Sequence, residues 1–223
     1  MRASDRAYAT LLDEIQSGAL VPGAVIAEAE QADRLGVSRT PMREAIGRLE
    51  ADGLVRQQSP RVTVVSGFDA EDIRDLFQAR RALEETSARL AAEQGDHAVF
   101  LELADAFRAA HPERGEVAVD DYYVLIARFD AAVDAAVDNA YLTQALRTIR
   151  THLVRARRLA RDNSARLRAS VAEHALIAEA IAARDPELAA HATHVHLYNA
   201  LAAILDSLTD VAAILDSPKE GRQ

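Results

Sequence analysis

Three arginines stand close together in the stretch LGVSRTPMREAIGRLEADGLV, residues 35–55: Arg39, Arg43 and Arg48. Wound as a helix, it buries Met42, Ala45, Ile46 and Leu49 and leaves Arg39, Arg43 and Gly47 opposite, at i, i+4 and i+8. A guanidinium fork there can bond two acceptors of a guanine or grip a phosphate, and Ser38 and Thr40 are short enough to let backbone approach the phosphate. Further on, polar residues interrupt apolar stripes. Arg80 points inward with Leu76, Phe77 and Leu83, where an unpaired charge is costly. Two partners would neutralise it: Glu84 one turn on, as a helical ion pair, or the carboxylate of a small ligand held bidentately. Asp130 lies between Phe129 and Val133, His174 shares a face with Leu167, Val171, Ala178 and Ile181, and His196 sits one turn beyond Ala192. Three groups with metal-ligand chemistry thus come from three helices. Their alternative role is that of buried, hydrogen-bonded residues in a metal-free pocket.

The elements that must position these residues differ between the two ends of the chain. At the N-terminal end, Tyr8, Leu11, Leu12 and Ile15 mark an amphipathic helix over 5–17, closed by Gly18. A short helix over 28–35 stops at Gly36, and a third begins near Ser38 or Thr40, either of which can cap it, with Pro41 in its first turn. Two helices joined by so tight a turn form a helix-turn-helix, whose second helix presents its N-terminal side chains to the major groove of DNA. After Gly53, LVRQQSPRVTVV predicts two short strands with Arg61 near the tip, a wing. The alternative is a three-helix bundle with solvated arginines.

From about 69 the pattern is helical, with segments expected over 69–94, 97–110, 117–137, 140–161, 164–183 and 186–206. The fold class is therefore mainly α. We place a winged helix-turn-helix at 1–66, an all-helical bundle for ligand binding and dimerisation at 67–210, and a tail at 211–223.

Charge follows the same division. The net charge is −9, but residues 1–66 hold 8 Arg against 9 Asp and Glu, so the remainder carries −8. Within 34–61, Arg34, Arg39, Arg43, Arg48, Arg56 and Arg61 face only Glu44, Glu50 and Asp52, a local +3. A phosphate backbone responds to that patch more than to distant acids, because screening acts over about 8 Å. The absence of cysteine removes disulfides, thiolate metal sites and cysteine nucleophiles. No run approaches the roughly 18 apolar residues of a membrane span, and acids interrupt the N-terminal apolar residues, so a cytoplasmic protein without a membrane partner is expected. With neither a poised nucleophile nor a Gly-rich phosphate loop, an enzyme is not expected.

The run VPGAVIAEAEQADRLGVSRTPMREAIGRLEADGLV resembles the N-terminal domain of GntR-family transcription regulators over about residues 5–66. The resemblance implies DNA contacts at Ser38, Arg39, Thr40 and Arg43, with the wing near Arg61, although Val62 stands where the family usually has glycine. LFQARRALEETSARLAA, FDAAVDAAVDNAYL and EHALIAEAIAARD resemble, in that order, the FCD effector domain in its six-helix variant. This implies a double-stranded DNA operator, a homodimer, a repressor modulated by a small organic acid at Arg80, and a divalent metal. Asp130 occupies a position where the family has histidine, and Ile126 one where it has aspartate, so the altered metal set is Asp130, His174 and His196. Zinc, nickel or manganese would accept it.

Overall fold

The computed structural model describes residues 1–59, 62–159 and 163–216. They form two compact units: Met1–Asp69 together with Thr151–Arg155, and Ala70–Arg150 together with the described residues from Ala156 on.

In the first unit, α1 (Ala3–Ser17) buries Ala7, Leu11 and Ile15 at i, i+4 and i+8, a stripe centred one residue earlier than Tyr8. The reason is that Tyr8 turns its phenol outward to donate to Asp52 Oδ2 at 2.6 Å, while its ring lies under Arg48 at 4.0 Å. Burial, with Asp52 adding to it, pushes the phenol up to about 12. α2 (Glu28–Leu35) ends at Gly36, whose φ of 62° lets the chain turn directly into α3 (Arg39–Ala51). Met42, Ala45, Ile46 and Leu49 face inward from α3 as the spacing predicts. β1 (Val55–Ser59) and β2 (Val62–Val65) pair antiparallel, Val55 opposite Val65, and Val25 bridges to Val64. Arg61, expected at the tip, lies outside the described residues.

The second unit comprises α4 (Ala70–Gln94), α5 (His97–Ala109), α6 (Glu116–Val137), α7 (Ala140–Leu159) apart from its Thr151–Arg155 segment, α8 (Ser164–Ala182) and α9 (Pro186–Asp216), with a 3-10 turn at Pro112–Arg114. The breaks are made by local chemistry. Asp96 accepts the amide of Ala98, Asn139 those of Tyr141 and Leu142, Asn163 that of Arg166, and Asp185 that of Leu188, each opening a helix. Gly95 is required by space, since a Cβ there would stand 2.5 Å from the Ala91 carbonyl and 2.9 Å from Phe100. The alanines Ala88, Ala91 and Ala92 of α4 share one core with Ala189 and Ala192 of α9, so these two helices approach closely. Phe100 and Phe107 of α5, Tyr122 and Phe129 of α6, and Ile177 and Ile181 of α8 fill the same core. α9 is longer than expected: it continues past 206 to Asp216, so residues 211–216, expected as tail, are helix. AILDSLTD and the following AILD keep apolar residues at helical spacing, which the rest of the segment gave no reason to discount.

Phe107 is fully buried and touches the rings of Tyr122, Phe129 and His174. Phe107→Ala is expected to lower the unfolding free energy by about 3–5 kcal/mol, whereas Val117→Ala, at 77% exposed, should change it by under about 0.5 kcal/mol. Urea denaturation of both variants measures the difference.

Candidate nucleic-acid interface and ligand pocket

Ser38 is the N-cap residue of α3, and its side chain makes no capping bond, which leaves the hydroxyl on the surface with exposed Arg39 and Thr40. Arg43 is exposed on the same helix but is not free. Its Nε and Nη2 donate to Glu28 of α2 at 2.9 and 2.8 Å. Arg34 is likewise held by Glu14 and Arg48 by Asp5. The local +3 of residues 34–61 is therefore corrected: three of its arginines are paired with acids from outside that window, close in space though distant in sequence. Arg39 makes no hydrogen bond or ion pair among the described residues. α3 thus presents a hydroxyl pair, one unpaired guanidinium and one whose two bonds to a carboxylate have the fork geometry that a phosphate or guanine also accepts.

The second unit contains a cavity of about 480 Å³, including its open mouth, reached by side chains of five helices. Arg80 and Glu84 come from α4, Phe129 and Asp130 from α6, Arg150 and Arg157 from α7, His174 from α8 and His196 from α9. All four pocket residues expected from the sequence thus line one cavity. Arg80 is buried and donates to Glu84 through Nε at 2.7 Å and Nη2 at 3.1 Å, which is the ion-pair alternative. Against burial, which would raise it, Arg80 holds the Glu84 carboxyl below the usual range. Asp130 lies 3.4 Å from Arg150, which also binds Asp134 at 2.6 Å. Burial pushes the Asp130 carboxyl up, against the opposing pull of Arg157 and Arg150. Arg157 is partly buried and makes no hydrogen bond or ion pair among the described residues; burial holds its guanidinium below the usual range.

The imidazoles are fixed from behind. His174 Nδ1 faces the Ser170 carbonyl at 2.8 Å and the Tyr122 hydroxyl at 2.9 Å. A carbonyl can only accept, so Nδ1 carries the proton. His196 Nδ1 likewise donates to Glu173 Oε2 at 2.7 Å. Burial lowers the pKa of both rings, that of His174 strongly, so both are neutral at pH 7. Glu173 also receives Arg166 at 2.6 Å and Asn199 at 2.7 Å, and these partners with His196 hold it, against burial, at about 2.

A metal at this site would use the Nε2 atoms of His174 and His196, whose ring centroids are 4.3 Å apart. The third expected ligand does not join them, because Asp130 is turned to Arg150, and among the described residues no three His, Asp or Glu side chains are grouped to hold an ion. Three arginines against two carboxylates also make the lining positive. The residues present do not fit the altered metal set. Ile126, where the resemblance implied that an aspartate was missing, is buried in the aromatic core rather than lining the cavity. Among the other histidines, His97 binds the Ala182 carbonyl and His194 binds Glu85, away from the two pocket rings.

Arg150, Arg157 and Glu173 belong to the site although they are not among the residues expected from the sequence. For α7 a signal was present: Leu146, Arg150, Leu153 and Arg157 fall at i, i+4, i+7 and i+11, two arginines set into an apolar stripe. Glu173 gave none, since its partners lie 7, 23 and 26 residues away. With Arg166 and His196 nearly enclosed around it, Glu173→Ala should cost about 3 kcal/mol by stranding a buried guanidinium. Chemical denaturation, with Glu173→Gln retaining part of the loss-prone network, checks this.

The family description of bacterial regulatory proteins of the gntR family matches residues 3–65, and that of the FCD domain matches residues 75–199. The probable D-xylose utilization operon transcriptional repressor of Paenarthrobacter nicotinovorans is 32% identical, over 82% of this chain and 80% of its own. An uncharacterised HTH-type transcriptional regulator of Streptomyces ambofaciens is 30% identical, over 85% of this chain and 80% of its own. The E. coli McbR/YncC structure superposes with a TM-score of 0.75 at 21% identity, over 93% of this chain and 99% of that one, a likeness of fold. The two relatives are named as transcriptional regulators, not as enzymes, and no helix among the described residues is long and apolar enough to cross a membrane. The chain belongs to the GntR family of bacterial transcription regulators, with an N-terminal helix-turn-helix domain followed by an FCD domain.

Proposed function

We propose that the chain is a cytoplasmic repressor that binds a pseudopalindromic double-stranded operator as a homodimer and is modulated by a small organic acid in the cavity of its helical unit. The observation that carries this reading is the cavity itself, where Arg80, Arg150 and Arg157 converge inside a part of the chain that is otherwise acidic. A cavity lined by cations within an acidic unit selects anions locally while repelling them elsewhere. The sign of regulation rests on the Paenarthrobacter relative, which is named a repressor. On α3 we assign Ser38 and Thr40 to phosphate approach and Arg39 and Arg43 to base or phosphate contact, with Arg61 on the wing. Arg43 must exchange Glu28 for DNA, an exchange between exposed partners that costs little because both states are screened. The acid shifts operator binding only through a difference in its affinity for the free and bound arrangements.

Retention of a selected operator, and its reversal by a panel of carboxylates, tests the whole reading. Arg39→Ala and Arg43→Ala should each weaken operator binding by about tenfold to a hundredfold at fixed salt and leave the melting temperature unchanged. Wild-type affinity in both variants would remove α3 from the interface. Operator binding that no carboxylate alters would instead leave the helical unit with a role in dimerisation or protein binding alone.

A further inference from the structure

The cavity contains more recognition chemistry than one carboxylate needs. Arg80 has spent its Nε edge on Glu84, and Arg150 is divided between Asp134 and Asp130. Arg157 is the pocket guanidinium with no such partner among the described residues, and Asp130, its principal opposite charge, lies against Arg150. It therefore supplies the vacant two-donor fork that an incoming carboxylate fits.

The two imidazoles pose the complementary problem. Each has its proton fixed on Nδ1, by the Ser170 carbonyl in one case and by Glu173 in the other. Each consequently turns a bare Nε2 lone pair to the cavity, and neither Nε2 is hydrogen-bonded or sealed off among the described residues. A neutral imidazole with its proton committed elsewhere accepts and cannot donate through that atom. A carboxylate brought to it would be repelled, whereas a hydroxyl would be bonded. The aromatic wall formed by Phe107 and Phe129 against His174 keeps that ring in place.

We infer that the ligand is a small hydroxy acid bound directly, without a metal, its carboxylate on Arg157 and its hydroxyl donating to Nε2 of His174 or His196. This rests on the regulatory reading above for its consequence and deepens it by naming the ligand's chemistry. Arg157 thereby supplies to the same cavity the positive charge that a divalent ion would bring.

The test uses the full chain in excess EDTA, with binding followed by calorimetry and by thermal shift. The probes are lactate, malate and gluconate, each beside the deoxy acid of matching length: propionate, succinate and hexanoate. At least one hydroxy acid should bind, and its deoxy counterpart should bind about tenfold more weakly for each hydrogen bond lost. Arg157→Gln should weaken binding of that acid at least tenfold. His174→Phe, which keeps the ring's packing and removes the acceptor, should erase the preference for the hydroxy acid and spare the deoxy acid. If His174→Phe does not fold, the wild-type comparison of paired acids and Arg157→Gln still decide. Binding that EDTA abolishes, equal affinity for the paired acids, or unchanged affinity in Arg157→Gln each overturns the inference and leaves the carboxylate-responsive reading standing. A hydroxy acid that binds as described yet leaves operator retention unaltered sinks that regulatory reading and spares this one. Failure of every acid to bind sinks both.

Discussion

A guanidinium taken out of water must meet a carboxylate or leave its charge uncompensated, and the helical unit is arranged around that requirement. Arg80 meets Glu84, Arg150 meets Asp134 and Asp130, and Arg166 meets Glu173. Two of these clusters tie elements together, α6 to α7 through Arg150, and α8 to α9 through Glu173, which also takes His196 and Asn199; Arg80 and Glu84 share α4. Desolvating such pairs is expensive, and their value lies less in net stability than in the penalty for any packing that separates them. Arg157 is the place where the pairing stops short. Its charge is met only at a distance, by Asp130 and Glu84, and it lines the cavity.

The helix-turn-helix unit handles the same side chain under opposite conditions. Arg34, Arg43 and Arg48 are paired with Glu14, Glu28 and Asp5, all in high-dielectric surroundings at the surface. Such pairs contribute little to folding, so they can be exchanged for phosphates at small cost. What they supply is orientation, because a bidentate contact fixes the plane of the guanidinium. Arg43 held by Glu28 across the α2–α3 turn is already fixed in plane on the helix proposed to read DNA, and Gly36 sets that turn by adopting a φ that other residues resist.

The fold was legible because it is written in local terms. Apolar spacing placed the buried face of α3 on Met42, Ala45, Ile46 and Leu49, and capping residues such as Asn139 and Asn163 marked the helix ends. The pocket was legible in part: Arg80, Asp130, His174 and His196 announced themselves as polar residues in apolar stripes, and they do line one cavity. Their partners were not legible, since a stripe says that a residue points inward and not what it meets there. Asp130 could have turned to the histidines or to Arg150, and the choice depends on the neighbouring helix, 20 residues on. The same limit explains Glu28, whose pairing with Arg43 depends on the angle between two helices rather than on either sequence pattern.

A pocket of this kind also constrains how regulation can work. If the acid did no more than satisfy Arg157, it would bind every arrangement of the helical unit that preserves the cavity, and tight binding alone would shift nothing. Switching requires that the cavity differ between arrangements, and the lining shows where a difference is cheapest. His174 is wedged among Phe107, Tyr122 and Phe129, His196 is anchored by Glu173, and Arg80 is locked to Glu84. The α7 side buries Leu146 and Ile149 and adds Arg150, whose partners Asp134 and Asp130 are both on α6 and both half-buried. A carboxylate drawn to Arg157 would stand beside that pair, competing with Asp130 for positive charge. On the proposed reading, the ligand's differential affinity would be expressed at the α6–α7 ion pairs, where the acid and Asp130 draw on the same positive charge.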